Sequence, residues 1–190
     1  ERITGHIRIP LRHSQPARRF TFVWAQGCLI LSDDSRCLPG CIDEIRRMRQ
    51  HCADGADNFL ADLFITLLRD DLHDIQQLET RLTDLEQAVL SDETDGFLKQ
   101  MSAIRKQLHR NNRFYAQLSD FASSLLEEAA DLFDRHSTRR WNYFLRKVEH
   151  LRDETRLLHE YASQISSEYQ AQVDIMQNQV MKLLTIVTTI

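Results

Sequence analysis

The chain has 190 residues, enough for one domain with a modest core or for a small domain with helical extensions. Its 24 basic and 28 acidic residues give a net charge of −4, which argues against a nucleic-acid-binding protein, since such proteins usually show a basic excess or stripe. All three prolines precede residue 40, and Gly96 is the last glycine. The chain after residue 56 is therefore predicted to be almost wholly helical.

The first 31 residues carry the pattern of β-strands. In two stretches apolar and polar residues alternate, as they do in half-buried strands. The apolar members are Ile3, Ile7, Ile9 and Leu11 in the first stretch and Phe20, Phe22 and Trp24 in the second. Ala25-Gln26-Gly27 suits a tight connection into a third short strand, Cys28–Leu31. A small N-terminal sheet with the aromatic residues in its core is expected.

A helix is predicted next, over about residues 39–52, because Pro39 suits the first turn of a helix. The side chains expected to pack against the sheet are Ile42, Ile45 and Met48. The basic side chains Arg46, Arg47 and Arg49 are interpreted as the solvated face of this helix. A phosphate or lipid role for them is the alternative.

Four cysteines, Cys28, Cys37, Cys41 and Cys52, lie within 25 residues of one another. Their simplest interpretation is reduced thiols of a cytosolic protein. The alternative is a zinc site made by Cys37, Cys41, His51 and Cys52, for which the C-x3-C spacing is suitable.

Residues 56–135 are predicted to form a long antiparallel helical hairpin. Its first helix is expected to run unbroken from Ala56 to about Leu90, and the acidic connection 91–96 forms the tip. Both helices carry apolar residues at coiled-coil spacing. These are Ile75, Leu78, Leu82, Leu85 and Val89 in the first helix, and Phe97, Met101, Ile104, Leu108, Tyr115, Leu118, Ala122, Leu125, Ala129 and Leu132 in the second. Asn111 lies on this seam and is interpreted as a polar residue that fixes the register.

The last third, 137–190, contains neither proline nor glycine and is predicted to be one very long helix with Ser137 as its N-cap. Its apolar seam steps by four and three residues. The seam residues are Phe144, Val148, Leu151, Thr155, Leu158, Ala162 and Ile165 and, after an extra four-residue step at Tyr169–Val173, Val180, Leu183, Val187 and Ile190. The extra step is expected to unwind the seam locally. The uncharged run 183–190 is too short to span a bilayer, which takes about 20 residues.

Two groups of acidic residues are candidates for divalent-cation ligands, because hard cations prefer several oxygen ligands. The first group is Asp70, Asp71 and Asp74, and the second is Glu127, Glu128, Asp131 and Asp134. The alternative is that each group is a solvated helix face. No glycine-rich phosphate loop, nucleophile elbow or H-E-x-x-H motif occurs in the sequence, so an enzyme is not expected.

The segment 178–190, NQVMKLLTIVTTI, resembles the junction into the first transmembrane helix of CorA-type magnesium channels, which reads approximately N-x-V-M-K-x-L-T-I-x-x-T-I. The resemblance implies an α+β fold, the α/β/α cytoplasmic domain of the CorA type, that is predominantly helical. It divides the chain into a small mixed part at 1–55, the hairpin at 56–135 and a stalk helix at 137–190. The chain is then expected to end at the start of the first transmembrane helix, before the Gly-Met-Asn signature of the family.

The same resemblance implies a transporter of Mg²⁺, with Co²⁺ or Ni²⁺ as further cargoes, in the inner membrane, with this portion in the cytoplasm. The full-length protein is expected to be a homopentamer, and the fragment alone a monomer or a non-native oligomer. The pore-facing residues implied are Asn178, Met181, Leu184 and Thr188. Steps of three, three and four keep them on one helical face, so that five copies form rings.

A regulatory metal site is a separate expectation. Family members with magnesium-sensing interfaces carry an aspartate near the start of the stalk, where Tyr143 stands here, and Glu149 and Asp153 are the nearest acidic replacements.

Two alternatives remain for the function. One is a zinc-transporting relative of the same fold, and the other is a membrane-tethered coiled-coil interaction protein without a transport role.

Overall fold

The computed structural model describes residues 2–10, 18–25, 27–48, 55–128 and 133–189. Within these residues three strands precede five helices. The strands are β1 (Arg2–Ile9), β2 (Arg18–Ala25) and β3 (Cys28–Ser32), and the helices are α1 (Leu38–Met48), α2 (Ala56–Leu67), α3 (Asp71–Leu90), α4 (Phe97–Glu128) and α5 (Arg135–Thr189). The fold class predicted from the sequence, a small sheet followed by long helices, is confirmed.

The chain forms two compact units, and each unit is made of two segments that are separated in the sequence. Unit 1 comprises Glu1–Asp74 and Arg110–Asp153, and unit 2 comprises Ile75–His109 and Glu154–Ile190. The three long helices, α3, α4 and α5, each contribute residues to both units. Unit 1 holds the whole sheet, and unit 2 is helical.

The sheet of unit 1 is antiparallel, with strand order β1-β2-β3. Ile7 pairs with Phe20 between the first two strands, and Ala25 pairs with Cys28 where the chain reverses into β3. Gly27 lies in that reversal with φ of +75°, a conformation that glycine adopts without steric cost. Within the described residues, the three strands predicted from the sequence are confirmed.

The core of unit 1 is built around the ring of Phe64 in α2. Five aromatic rings lie with their centroids 5.4–6.1 Å from it, in tilted or edge-on arrangements. They belong to Phe20 and Phe22 of β2, Phe121 of α4, and Trp141 and Phe144 of α5. Alternation along β2 turns its aromatic residues to one face, and the two helices cover that face. The prediction that these residues form sheet core is confirmed.

Helix α1 is capped by Asp33. One carboxylate oxygen, Oδ2, accepts the backbone N–H of Leu38 at 2.8 Å, and Oδ1 accepts the backbone N–H of Ser35 at 3.0 Å. Burial alone would raise the pKa of Asp33, but these hydrogen bonds outweigh burial and lower the pKa. Ile45 is buried as predicted, whereas Met48 is 70% exposed, so the expectation that Met48 packs against the sheet is wrong.

The helix expected to run unbroken from Ala56 to Leu90 is divided in two. Helix α2 ends at Leu67, the turn 68–70 intervenes, and α3 begins at Asp71. Leu68 has the non-helical dihedral ψ of 8° and is buried, so its apolar side chain holds the turn against the core. Two adjacent acids at 70 and 71 then favour a new helix start, because negative charge is stabilised at the N-terminus of a helix.

Helix α5 begins two residues before the predicted cap. Asp134 is the capping residue, since its Oδ1 accepts the backbone N–H of Ser137 at 2.7 Å. The backbone N–H and the hydroxyl of Ser137 lower the pKa of Asp134. Ser137 itself is buried in the first turn, with its hydroxyl against the carboxylates of Asp134 and Asp57. The prediction that Ser137 is the N-cap is therefore wrong.

Unit 2 is held by the apolar seams of its helices. Every seam residue predicted for α3 is at most 4% exposed, as are those of α4 up to Leu108. The short connection 91–96 joins α3 to α4 as a hairpin and turns through Asp92 and Gly96, whose φ angles are positive. The ring of Phe97 stacks on Tyr169 of α5 at 4.3 Å, and the hydroxyl of Tyr161 donates to Glu86 at 2.6 Å. The predicted hairpin is confirmed.

Several predictions fall on residues outside the described ranges. The residues concerned are Leu11, Gln26, Arg49, His51, Cys52, Ala129, Asp131, Leu132 and Ile190. The end of the first strand, the end of helix α1 and half of the zinc ligand set therefore stay predictions.

Candidate functional site

The C-terminal part of α5 carries an apolar surface that no other described element covers. The helix has 55 residues, about 82 Å at 1.5 Å per residue. Its seam is buried in both units up to Ile165, and every described residue from Asp174 onward is exposed. The large apolar side chains exposed there are Ile175, Met176, Val180, Met181, Leu183, Leu184, Ile186 and Val187. A surface of this kind marks an interaction site.

The four residues expected to face a pore form one stripe on this exposed segment. Asn178, Met181, Leu184 and Thr188 span about 120° of the helix circumference at 100° per residue. Met181 is 68% exposed and Leu184 is 61% exposed. We call these four residues the polar–apolar stripe, since it begins and ends with a polar side chain and has two apolar ones between them.

The hydroxyl of Thr188 is oriented by its own helix. Its Oγ1 lies 3.0 Å from the carbonyl oxygen of Leu184 and donates back along the helix. A threonine in this arrangement keeps oxygen lone pairs on the outside of the helix while its proton is engaged. At the end of the stripe Thr188 therefore presents an acceptor, which is suited to a cation rather than to an anion.

A second exposed stripe lies beside the first. Val180, Leu183 and Val187 continue the seam pattern and are 60–69% exposed, centred about 120° around the helix from the polar–apolar stripe. Adjacent stripes of this kind let one face of a helix line a space while the neighbouring face packs on another copy.

The acidic candidates for metal ligands do not converge in the described chain. Asp71 is buried, and its Oδ2 accepts a hydrogen bond from the hydroxyl of Tyr115 at 2.9 Å. Asp70 is exposed, and its Oδ1 lies 3.4 Å from Nε of Arg69. Asp74 is half-buried at the start of α3. Burial lowers the pKa of Lys147 and the negative charge of Asp71 opposes that shift, so Asp71 acts on a neighbouring cationic side chain.

The regulatory candidates lie on the surface of α5. Glu149 and Asp153 are exposed, one turn apart on the same helix, and Tyr143 is 51% exposed. Across the part of the chain that the structure describes, no three side chains of His, Cys, Asp or Glu form a group able to hold a metal ion.

The described cysteines make local contacts. The thiol of Cys37 lies 3.6 Å from Oδ1 of Asp33, and that of Cys41 lies 3.7 Å from the carbonyl oxygen of Cys37. Cys28 is exposed, Cys37 is buried and Cys41 is half-buried. The interpretation as reduced thiols is consistent with these contacts.

One feature of unit 1 was missed from the sequence. A cavity of about 590 Å³ lies between α1, α2 and the first turns of α5, and three arginines contribute to its wall. The signal for it was present, since basic and aromatic residues recur on α5 at helical spacing. They are His136, Arg139, Arg140, Tyr143 and Arg146.

None of the described helices combines the length and the apolar character that crossing a bilayer requires.

The fold is similar to that of a solved magnesium transporter. The CorA magnesium transporter from Methanocaldococcus jannaschii superposes with a TM-score of 0.83 and 17% sequence identity, over 99% of this chain and 61% of that one. This likeness shows the fold, and this chain spans about three fifths of the length of that transporter. The protein thus has the fold of a CorA cytoplasmic domain.

The sequence assigns the family. The sequence model of the CorA-like Mg²⁺ transporter protein family matches residues 8–190, nearly the whole chain. The chain therefore belongs to the CorA-like Mg²⁺ transporter family, and the resemblance drawn from segment 178–190 is confirmed. No curated protein matches the chain by sequence.

Proposed function

We propose that this chain is the cytoplasmic part of an inner-membrane transporter whose cargo is Mg²⁺, with Co²⁺ and Ni²⁺ as further cargoes. Five copies of α5 would stand around one ion path, with the polar–apolar stripe toward its axis. Family membership supports transport rather than catalysis as the activity. The observation that carries the proposal is the exposure of the stripe on a segment of α5 that no described element of the same chain covers.

The chemistry of the stripe suits a hydrated divalent cation. Mg²⁺ gives up its water ligands reluctantly, so neutral oxygens that contact its water shell hold it without dehydration. A ring of Asn178 amides supplies such oxygens, and Thr188 adds an outward-facing hydroxyl oxygen. Rings of Met181 and Leu184 between them make a hydrophobic constriction, which gates by excluding water.

The second exposed stripe supports assembly. Val180, Leu183 and Val187 would pack against the neighbouring copy, which removes apolar surface from water. Because this stripe is adjacent to the polar–apolar stripe, one helix can contact a neighbour and line the path at the same time. The two stripes therefore support a ring of parallel α5 helices.

Regulation by the cargo is the third component of the proposal. Glu149 and Asp153 are exposed on α5, and carboxylates from neighbouring copies can together supply the several oxygen ligands that Mg²⁺ needs. The acidic residues at 70, 71 and 74 are weaker candidates, because Asp71 is already engaged by Tyr115.

Transport by the full-length protein in proteoliposomes tests the role of the stripe. Mg²⁺ influx is followed with an encapsulated fluorescent indicator for the wild type, Asn178→Ala and Gln179→Ala. Gln179 is the matched control, since it carries the same amide, is exposed, and lies about 100° around the helix from Asn178. We expect Asn178→Ala to change the rate or the cation selectivity several-fold and Gln179→Ala to leave both unchanged.

The alternatives are outcomes of the same assay. Zn²⁺ uptake without Mg²⁺ uptake would identify a zinc-transporting relative. The absence of cation flux in a correctly assembled protein would favour the coiled-coil interaction protein. Equal effects of the two substitutions would contradict a pore-facing Asn178.

A further inference from the structure

The cavity at the start of α5 lies wholly within unit 1 and is separate from the polar–apolar stripe. Its volume of about 590 Å³ falls in the range of roughly 300–1,000 Å³ that small-molecule sites occupy. Side chains of α1 and α2 form one side, and the first turns of α5 form the other.

The wall contributed by α5 is basic. Arg140 is the arginine whose charge is matched inside the cavity, since its Nη1 pairs with the carboxylate of Asp62. Its Nε also donates to Nε2 of His136 at 3.1 Å. Asp62 is thereby neutralised, so it does not repel an anion that enters the cavity.

Two further guanidinium groups are left for a ligand. Arg139 and Arg146 both line the cavity and are exposed, and within the described part of the chain neither forms a hydrogen bond or an ion pair. The cavity therefore has a local excess of positive charge, although the net charge of the chain is −4. Such a pair favours an anionic ligand.

The spacing of these arginines selects among anions. They are seven residues apart, two turns of helix and about 10 Å along the axis. A single phosphate contacts one guanidinium at this separation, whereas a chain of linked phosphates can bridge both.

The remaining wall is apolar. Ile45 is buried and Ile65 is half-buried where they line the cavity. Two larger lining side chains are more exposed, Met48 at 70% and Tyr143 at 51%. Two large exposed side chains among apolar ones suit a flat ring, because a base stacks on an aromatic side chain and packs against a flexible thioether.

We propose that this cavity binds a nucleoside polyphosphate. The phosphates lie between Arg139 and Arg146, and the base lies between Tyr143 and Met48. The proposal does not depend on transport, since every group that carries it lies in unit 1 and none belongs to the polar–apolar stripe.

Calorimetric titration of the 190-residue chain tests the proposal, with a chelator present so that no divalent cation contributes. The probes are ATP, AMP and inorganic tripolyphosphate, together with vesicles of phosphatidylglycerol. We expect ATP to bind at least about ten-fold more tightly than AMP, because AMP engages one arginine and ATP engages both. Tripolyphosphate is expected to bind more weakly than ATP, since it lacks the base.

Two sets of variants locate the binding. Arg139→Ala with Arg146→Ala is expected to weaken ATP binding by about ten-fold or more. Arg105→Ala with Arg113→Ala is the matched control, because it removes the same charge from exposed positions of α4 outside the cavity. Tyr143→Ala should weaken ATP binding and leave tripolyphosphate binding unchanged. The far-ultraviolet circular dichroism of all variants should match that of the wild type, since these side chains are exposed.

Three results would overturn the proposal. Equal losses of ATP affinity in the two double variants would mean that only overall charge matters. AMP binding as tight as ATP binding would remove the role of linked phosphates. Binding to phosphatidylglycerol vesicles without binding to ATP would assign the cavity to a lipid headgroup.

Discussion

At the level of single residues, Gly5 lies directly against the ring of Phe22. They are partners in the register of β1 and β2, and Phe22 is fully buried. The ring of Phe22 occupies the space that a Cβ atom at position 5 would need. Glycine at this position is therefore required by packing against an aromatic side chain, at the edge of the aromatic core.

We expect Gly5→Ala to destabilise the protein by about 1–3 kcal/mol, because the buried ring has to move or leave its rotamer. Urea unfolding followed by circular dichroism measures the change. Gly40→Ala is the control, since nothing lies within 4 Å of the added Cβ there. That substitution should leave the stability unchanged or raise it by less than about 1 kcal/mol. Equal destabilisation by both would show that Phe22 does not close over Gly5.

Asp33 is the second residue with a defined energetic role, as the cap of α1. Asp33→Ala is expected to cost about 1 kcal/mol at neutral pH, because the side chain that accepts the backbone N–H of Leu38 at the start of α1 is lost. Asp34→Ala is the matched control. Among the described residues, Asp34 makes only a surface ion pair with Arg19 at 3.7 Å, which should contribute less than about 1 kcal/mol.

The contribution of Asp33 should also depend on pH. Its pKa in the folded protein lies below the ordinary value of 3.8, so folding favours the ionised form. The stabilisation is present in full above that ordinary value and is lost as the pH falls through the lower folded-state pKa. The difference in unfolding free energy between the wild type and Asp33→Ala should therefore shrink only in strong acid. A difference that stays constant over that acid range would contradict the cap.

At the level of elements, the seams of α3, α4 and α5 were predictable because a seven-residue apolar pattern marks one face of a helix whatever it packs on. The break between α2 and α3 was not, because no glycine or proline marks it. It depends on the burial of Leu68, which only the assembled core decides. The exposure of Met48 was missed for the same reason, since burial is set by neighbouring elements rather than by periodicity.

The candidate sites also differ in how far the sequence could predict them. The placement of the polar–apolar stripe on one helical face was predictable because its four residues are close in sequence on one helix, whereas their role at a pore stays a prediction. The cavity was not predicted, since its wall combines α1, α2 and α5, and no single segment contains it. Only the part of that wall on α5 shows a helical spacing that sequence reasoning detects.

The exposed stripe of Val180, Leu183 and Val187 predicts self-association of the chain. Replacing Val180 and Leu183 by Gln should weaken that association about 100-fold, because each buried apolar side chain contributes about 1.5 kcal/mol or more. Sedimentation equilibrium at several concentrations measures the dissociation constant. Helix content should be unchanged, since neither side chain packs on a described element of its own chain.

Leu90 and Leu98 provide the matched control for this association. They are 76% and 67% exposed at the ends of α3 and α4, near the hairpin connection. Replacing both by Gln removes a similar apolar surface from another place. If these substitutions weaken association as much as those at Val180 and Leu183, the contact does not run along the end of α5.

At the level of the whole molecule, the proposed transporter predicts that Mg²⁺ stabilises the assembled form. A ligand that binds only the assembled state protects it by mass action. Millimolar Mg²⁺ should therefore slow limited proteolysis of the full-length protein several-fold relative to NaCl of equal ionic strength. The protection should be lost in the variant Glu149→Gln with Asp153→Asn.

The control for this experiment neutralises two other exposed acids of α5. Glu160→Gln with Asp174→Asn removes the same charge from positions outside the regulatory candidates and should keep the protection. Equal proteolysis with and without Mg²⁺ in the wild type would contradict regulation by the cargo. Protection retained in the Glu149 and Asp153 variant would assign it to other ligands.

Within unit 2, the exposed end of α5 resembles a beam that is fixed at one end. Ile165 is the last buried residue of its seam, and Asn178 lies about 20 Å further along the axis. For a straight helix, a tilt of about 5° at Ile165 displaces Thr188 sideways by about 3 Å, which is about the width of a water molecule. The precision with which this end is positioned is therefore set by what packs against it rather than by the core of its own unit.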